Sequence, residues 1–169
     1  MALTASKKLP SIISKISFIV FDFDGVFTDN GVYVSESVEE SVRCSRYDGM
    51  GISLLHKAGV RMAVISTEVN SVVAARCKKL NLECIHGVEN KLEVLKQWIS
   101  KNNIDPEGLV FTGNDINDSE CIRYAACGVA VADSHPDVLC QAKLILTHTG
   151  GYGAVRELAE LVLKKCSAK

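Results

Sequence analysis

The sequence predicts an α/β protein, built as a parallel sheet with helices on both faces and a β-hairpin flap in place of a cap domain. Three observations predict it. The apolar run Phe18-Ile-Val-Phe21 stops at two acids one residue apart, Asp22 and Asp24, and Gly25 follows at once. Strand-like and helix-like segments then alternate to the end of the chain, the pattern of a parallel sheet with crossover helices. The stretch between the acid turn and the first helix is too short to hold a cap and reads as a single flap.

In chain order, residues 1–12 form a loose lead-in, polar and without periodicity up to Pro10, and residues 13–169 form one domain. The strand ending at Phe21 is apolar throughout, as strands buried on both faces are. Val26-Phe27-Thr28, Asp29-Asn30-Gly31 and Val32-Tyr33-Val34 read as strand, turn and strand, because Asn-Gly between β-rich runs is a strong hairpin signal. Ser41 to Cys44 reads as a partner strand. Ile52, Leu54, Leu55 and Ala58 have helical spacing and stop at Gly59. Strands are expected over Val60 to Ile65, Leu82 to His86, Leu109 to Thr112, Gly128 to Val131 and Leu144 to Leu146. Helices are expected over Val69 to Leu80, Leu92 to Ile99, Ser119 to Ala126 and Ala154 to Leu163.

The 169 residues, 47% hydrophobic and 23% charged, suffice for one domain with a real core. A formal net charge of −1 and a pI near 6.4 give no electrostatic reason to expect nucleic acid or an anionic membrane as partner. Ile12 to Phe21 is broken by Ser14, Lys15 and Ser17, too short and polar for a membrane span or a signal peptide. A cytoplasmic protein is expected. The seven cysteines are odd in number and form no Cys-x-x-Cys pair, and Cys77, Cys84, Cys121, Cys127 and Cys140, inside apolar segments, read as small buried hydrophobes in a reducing compartment. The four histidines lack ligand spacing.

The chemistry is carried by strand ends. Asp22 and Asp24 fall at the carboxyl end of the first strand, where open α/β sheets bind ligands. Two carboxylates beside a glycine turn suit a nucleophile with a proton donor, and equally a magnesium cradle. Ser66-Thr67 opens the next helix with hydroxyls and N–H groups, an anion site or simply an N-cap. Lys91 stands in the first turn of a helix, opposed by the helix dipole, and is either solvated or matched by a negative ligand. Gly113-Asn114-Asp115-Ile116-Asn117-Asp118 is dense in oxygen donors, suited to a hard cation or to capping the following helix. Each feature alone has a structural reading. Together and in this order they supply nucleophile, phosphate donors and metal ligands for phosphoryl transfer.

On these four motifs, from Ile16 to about Leu163, the chain resembles the haloacid-dehalogenase-like phosphatases, which implies their Rossmann-like fold. Within them it is most similar to the capless 3-deoxy-D-manno-octulosonate 8-phosphate phosphatases. The phosphatases of nine-carbon 9-phosphorylated ulosonic acids, and the related domain fused to some acylneuraminate cytidylyltransferases, are similar too. The segments Tyr47-Asp48-Gly49-Met50-Gly51-Ile52, Val129 to Pro136 and Gly150 to Glu157 carry that closer likeness. The resemblance implies a sugar-phosphate substrate, Mg2+ as cofactor and a homo-oligomer, most often a tetramer. Asp22 would attack phosphorus and Asp24 would act as acid and then base. Ser66, Thr67 and Lys91 would hold the phosphoryl oxygens, and Asp48, Gly49 and Arg156 would serve the substrate. Magnesium would take the Asp22 carboxylate, the Asp24 main-chain carbonyl and Asn114, supported by Asp115 and Asp118. One subunit's flap and a neighbour's Gly150 to Arg156 tail would roof the site.

Three residues depart from the pattern. Asn114 stands where Asp is usual, Ser66-Thr67 where Thr-Gly is usual, and Tyr152 where Arg is common. Asn114 keeps a second reading open, a non-catalytic oligomerisation domain associated with a cytidylyltransferase. A receiver domain would need its phospho-accepting Asp after the third strand, where His86-Gly87-Val88 stands. A nucleic-acid 3′-phosphatase would need a basic groove that this composition does not supply.

Overall fold

The computed structural model describes residues 16–37 and 39–166, so the expected loose segment 1–12 lies outside the described residues. Six strands form one parallel sheet: β1 (Phe18–Phe21), β4 (Arg61–Ile65), β5 (Glu83–Ile85), β6 (Leu109–Gly113), β7 (Cys127–Ala130) and β8 (Leu144–Ile145). Their order is β5-β4-β1-β6-β7-β8, and β2 (Thr28–Val34) pairs with β3 (Glu40–Cys44) in a separate antiparallel ribbon. The helices are α1 (Arg46–Lys57), α2 (Val72–Leu80), α3 (Lys91–Lys101), α4 (Ser119–Tyr124), α5 (Pro136–Gln141) and α6 (Ala154–Cys166). Short 3-10 turns cover Pro106–Gly108 and Ile116–Asp118.

β1 is central, with Phe18 in register with Arg61 on one side and Leu109 on the other. All four of its side chains are buried. Alternation divides them: Ile19 and Phe21 join the core with Ile52 and Leu55 of α1, Val73 of α2 and Leu158 of α6. Phe18 and Val20 join the opposite core with Leu95 and Trp98 of α3, Ile122 of α4 and Val138 of α5. Because the chain leaves β1 for β4 on one side and later fills β6 on the other, a crevice opens at the carboxyl end of β1. The acids stand there.

The flap is a hairpin, but not with the turn expected. Asn30 and Gly31 lie inside β2, and the connection is made over residues 35–39. Thr28 faces Cys44 while Val32 faces Val42, so β2 advances four residues against two in β3, a bulge. Asn30 takes φ 62°, a left-handed conformation that Asn tolerates singly. The bulge is fixed by neighbouring side chains: the Thr28 hydroxyl accepts from the Asn30 N–H at 3.2 Å, and Asp29 accepts from the Gly31 N–H at 3.3 Å. Val26 and Phe27, expected as strand, form the acid turn instead and are buried beside Phe23. Helix α5 falls after the Val129 to Pro136 segment, where no helix is expected from the sequence. The Val69 helix begins only at Val72.

Asp48 joins two helices. It lies fully buried in the first turn of α1, and its Oδ1 accepts from the Arg156 N–H at 3.0 Å. It thereby caps α6, whose first N–H groups would otherwise be orphaned. Gly51 lets the helices meet, since a Cβ there would lie 2.9 Å from the Arg156 Cα. Asp48→Ala is expected to lower folding stability by about 1–3 kcal/mol in denaturant unfolding, through lost acceptors and a bared helix end. Unchanged stability with weakened substrate binding would return Asp48 to the substrate.

Candidate active site

The acid turn starts where β1 ends. The Asp22 N–H still donates to the Thr112 carbonyl of β6 at 2.8 Å, which fixes Asp22 at the mouth of the crevice. Gly25 then reverses the chain with φ 74°, and a Cβ there would collide with the Asn114 amide, so both its torsion and its surroundings demand glycine. Thr28 is buried and closes the turn. Its hydroxyl accepts from the Gly25 N–H at 3.0 Å and meets Asp24 at 3.5 Å.

Asp22, Lys91 and Asp118 form a buried chain of charges. The Lys91 Nζ is 2.7 Å from Asp22 Oδ1 and 2.7 Å from Asp118 Oδ1, with all three side chains nearly inaccessible to water. The other Asp118 oxygen accepts from the Asn114 N–H at 2.9 Å and the Asp115 N–H at 3.4 Å. Both Asp118 oxygens are thus engaged within the protein, so Asp118 anchors the ligand loop and does not face a metal. Lys91 is not solvated, and Asn90 caps its helix by accepting from the Glu93 N–H at 3.0 Å.

Two carboxylates share one ammonium, so ionising both would leave the buried group with an excess negative charge. Burial, and then the Asp118 carboxylate, push the Asp22 pKa up against the opposing pull of Lys91. For Lys91 burial works downward, but the two carboxylates outweigh it and hold the lysine protonated. Asp24 is less enclosed. Burial, followed by the Glu68 carboxylate, raises its pKa, which suits a group that must donate a proton.

A cavity of about 310 Å³ opens over this chain, lined by Asp22, Asp24, Asn30, Ser66, Thr67, Asn114, Asp115 and Asn117. Ser66 is buried and its Oγ accepts from the Glu68 N–H at 3.1 Å, while the Asn117 amide reaches the Thr67 hydroxyl at 3.4 Å. Asn114 Oδ1 is buried at the cavity and has no hydrogen-bond partner. An orphaned amide oxygen beside an electron-rich carboxylate is an arrangement that a hard cation completes. Among the described residues no three His, Cys, Asp or Glu side chains form a metal site by themselves. The oxygen donors around the cavity are mixed, with the carboxylates of Asp22, Asp24 and Asp115 and the Asn114 amide oxygen.

The structure therefore gathers Asp22, Asp24, Ser66, Thr67, Lys91, Asn114, Asp115 and Asp118, and leaves three residues outside. Asp48 caps α6. A Cβ on Gly49 would lie 3.3 Å from Arg76 and from Leu80, and Arg156 pairs with Glu160 at 2.7 Å. The Gly150–Gly151 loop packs against the acid turn of the same chain, with the Gly151 N–H donating to the Val26 carbonyl at 3.1 Å. Thr28, Asn30 and Asn117 belong to the site and were not singled out from the sequence. A hydroxyl four residues after Asp24 and amides inside the acidic loop were the available signals.

Residues 60–158 match a family described as haloacid dehalogenase-like hydrolase. The 3-deoxy-D-manno-octulosonate 8-phosphate phosphatase of Salmonella typhimurium is 31% identical over 158 residues, covering 91% of this chain and 84% of that protein. Among solved structures, a Streptomyces avermitilis protein described as a HAD family hydrolase is 42% identical with a TM-score of 0.87, covering 89% of this chain and 87% of that one. The 3-deoxy-D-manno-octulosonate 8-phosphate phosphatase of Moraxella catarrhalis, in complex with magnesium, phosphate and a KDO molecule, is 28% identical. It superimposes with a TM-score of 0.90 over 94% of this chain and 91% of that one.

Lys91→Ala would strand two buried carboxylates. The metal-free protein is expected to lose about 3–5 kcal/mol at neutral pH. The Asp22 pKa is already raised to about 8 beside Lys91 and would rise further without it, so the deficit should be greatest at and above about pH 8 and shrink as pH falls through that range and the carboxyl takes up a proton. Denaturant unfolding at several pH values measures this, and a deficit that does not vary with pH would contradict the charge account.

Proposed function

This chain belongs to the haloacid dehalogenase-like hydrolase family, and we propose that within it the protein is a magnesium-dependent phosphatase of an 8- or 9-phosphorylated 3-deoxy-ulosonic acid. The observation that carries the reading is the charge chain Asp22–Lys91–Asp118 beneath an open polar cavity, with Asp24 at its rim. The curated relative is a phosphoric monoester hydrolase by name, and the likeness spans nearly the whole of both chains.

Asp22 attacks phosphorus in line and forms an aspartyl-phosphate, its oxygen aimed by Lys91. Asp24 gives a proton to the departing sugar oxygen, then takes one from the water that hydrolyses the intermediate. The Ser66 and Thr67 hydroxyls and the Lys91 ammonium hold the phosphoryl oxygens as charge spreads over them. Magnesium would be held by the Asp22 carboxylate, Asn114 Oδ1 and the Asp24 carbonyl, with Asp115 at the rim, and supplies neutralisation of the phosphoryl charge. The same Asn114 favours a non-catalytic oligomerisation domain, but the intact Asp22, Asp24 and Lys91 support catalysis. No described helix is long and apolar enough to cross a membrane, and the described cysteines are unpaired, which supports a cytoplasmic enzyme.

The flap exposes Val32 (54%), Tyr33 (65%) and Val34 (61%), an apolar edge that suits burial by another copy. A homo-oligomer, a tetramer by resemblance, is the assembly proposed. Light scattering of the purified protein tests it, and an active monomer would refute it.

Phosphate release across a panel of 8- and 9-phosphorylated ulosonic acids is the deciding assay for substrate. Asp22→Asn should abolish turnover in a folded protein, and Asp24→Asn should slow it by about 10²–10⁴-fold. Wild-type rates in Asp22→Asn would refute the mechanism. Asn114→Asp restores a carboxylate and should lower the magnesium concentration for half-maximal binding, read by calorimetry as well as by activity. An unchanged or weaker magnesium affinity would remove Asn114 from the metal shell.

A further inference from the structure

The loop over residues 149–153 is a brace under the acid turn. Gly150 lies so near that a Cβ there would collide with the Gly25 carbonyl, and a Cβ on Gly151 would lie 2.6 Å from the Asp29 N. The loop is anchored at both ends. Glu157 of α6 accepts from the Thr147 and His148 N–H groups, each at 2.9 Å, and Asp133 accepts from the Gly150 N–H at 3.0 Å. These anchors tie its position relative to Asp22 and Asp24 to the sheet and α6.

One side chain ties the flap to this brace. Arg43 of β3 donates Nη1 to the Gly151 carbonyl at 3.1 Å and stands 3.6 Å from Asp29 of β2. Its guanidinium also lies 4.2 Å from the centre of the Tyr152 ring, the residue that stands where the resemblance leads one to expect Arg. The strand's alternation puts Glu40 and Val42 on the opposite side from Arg43. There they line a second cavity of about 320 Å³, which shares Asp24, Asn30 and Thr67 with the first. A hydrogen bond from the Asn70 amide to Glu40, 2.9 Å, spans that groove. One strand thus carries a groove wall on one face and its fastening on the other.

We propose that Arg43 is a positioning residue that fastens the flap to the 149–153 brace and so holds the groove wall at a fixed separation from Asp24. The proposal rests on reading the groove as the place of the sugar leaving group. Arg43 touches neither cavity, so its loss should misplace the wall that meets the sugar while leaving the phosphoryl site in place. A long flexible side chain with a single point charge keeps part of the fastening, but not the guanidinium's contact with the Tyr152 ring.

The test combines hydrogen exchange with kinetics on the full chain, for wild type, Arg43→Ala and Arg43→Lys. In Arg43→Ala the amides of β2 and β3 should exchange about ten-fold faster, with β1, β4 and β6 unchanged. KM for an 8-phosphorylated ulosonic acid should rise about ten-fold with little change in kcat, while p-nitrophenyl phosphate is hydrolysed as by wild type. Arg43→Lys should recover part of both effects. Flap exchange that does not change, a KM that does not rise, or an equal loss with both substrates would overturn the proposal. If wild type hydrolyses p-nitrophenyl phosphate but no ulosonic acid phosphate, the proposed substrate falls, while the exchange measurement alone still decides the role of Arg43.

Discussion

A lysine ammonium shared between two buried carboxylates is the interaction on which the rest of this site depends. Lys91 holds Asp22 and Asp118 at 2.7 Å each in a space closed to water. An unpaired charge there would be prohibitive, so the three groups must be delivered together by separate elements. Asp22 comes from the end of β1, Lys91 from the first turn of α3, and Asp118 from the 3-10 turn after β6. Asp118 then passes the constraint on, because its second oxygen gathers the N–H groups of Asn114 and Asp115 and sets the Asn114 amide against Gly25. The excess negative charge that ionising both carboxylates would leave is what a cation at the cavity would offset.

The remaining architecture serves to hold a short turn without a cap above it. Thr28 closes the turn from within, Thr112 holds its start, and the 149–153 loop supports it from below. The flap has little packing of its own, with most of β2 exposed and only a two-stranded ladder behind it. Isolated two-stranded ribbons are marginal in water. Its attachments through Arg43 and Asn70, and its apolar outer edge, are the places where it gains support.

Much of the fold was legible because β1 is apolar along its whole length and β6 opens on Leu109, Val110 and Phe111, and because Asp22 and Asp24 end the first run abruptly. Such signals are local. Asn30-Gly31 misled because the residue pair that makes a tight hairpin turn also makes a bulge, and only the pairing of Thr28 with Cys44 distinguishes them. Asp48 misled for another reason: an acid in a helix's first turn shows nothing of the partner helix whose N-terminus it caps, more than a hundred residues along the chain. Lys91 could be suspected from its unfavourable place at a helix start, but its burial between two acids depends on three-dimensional register. Asp118 was legible as part of an oxygen-rich loop, whereas its role as anchor follows from which way each oxygen points. Tyr152 looked like a departure in the tail, and its position against Arg43 gives it a structural partner.

The central claim is that Asp22, aimed by Lys91, carries the phosphoryl group during turnover. Rapid acid quenching of the enzyme during hydrolysis of an 8-phosphorylated ulosonic acid, followed by borohydride reduction and peptide mass spectrometry, tests it directly. An aspartyl-phosphate is reduced to homoserine, so the account requires homoserine at position 22 and unmodified aspartate at positions 24, 115 and 118. Product formation without homoserine at position 22, or with homoserine at one of the other acids, would contradict it.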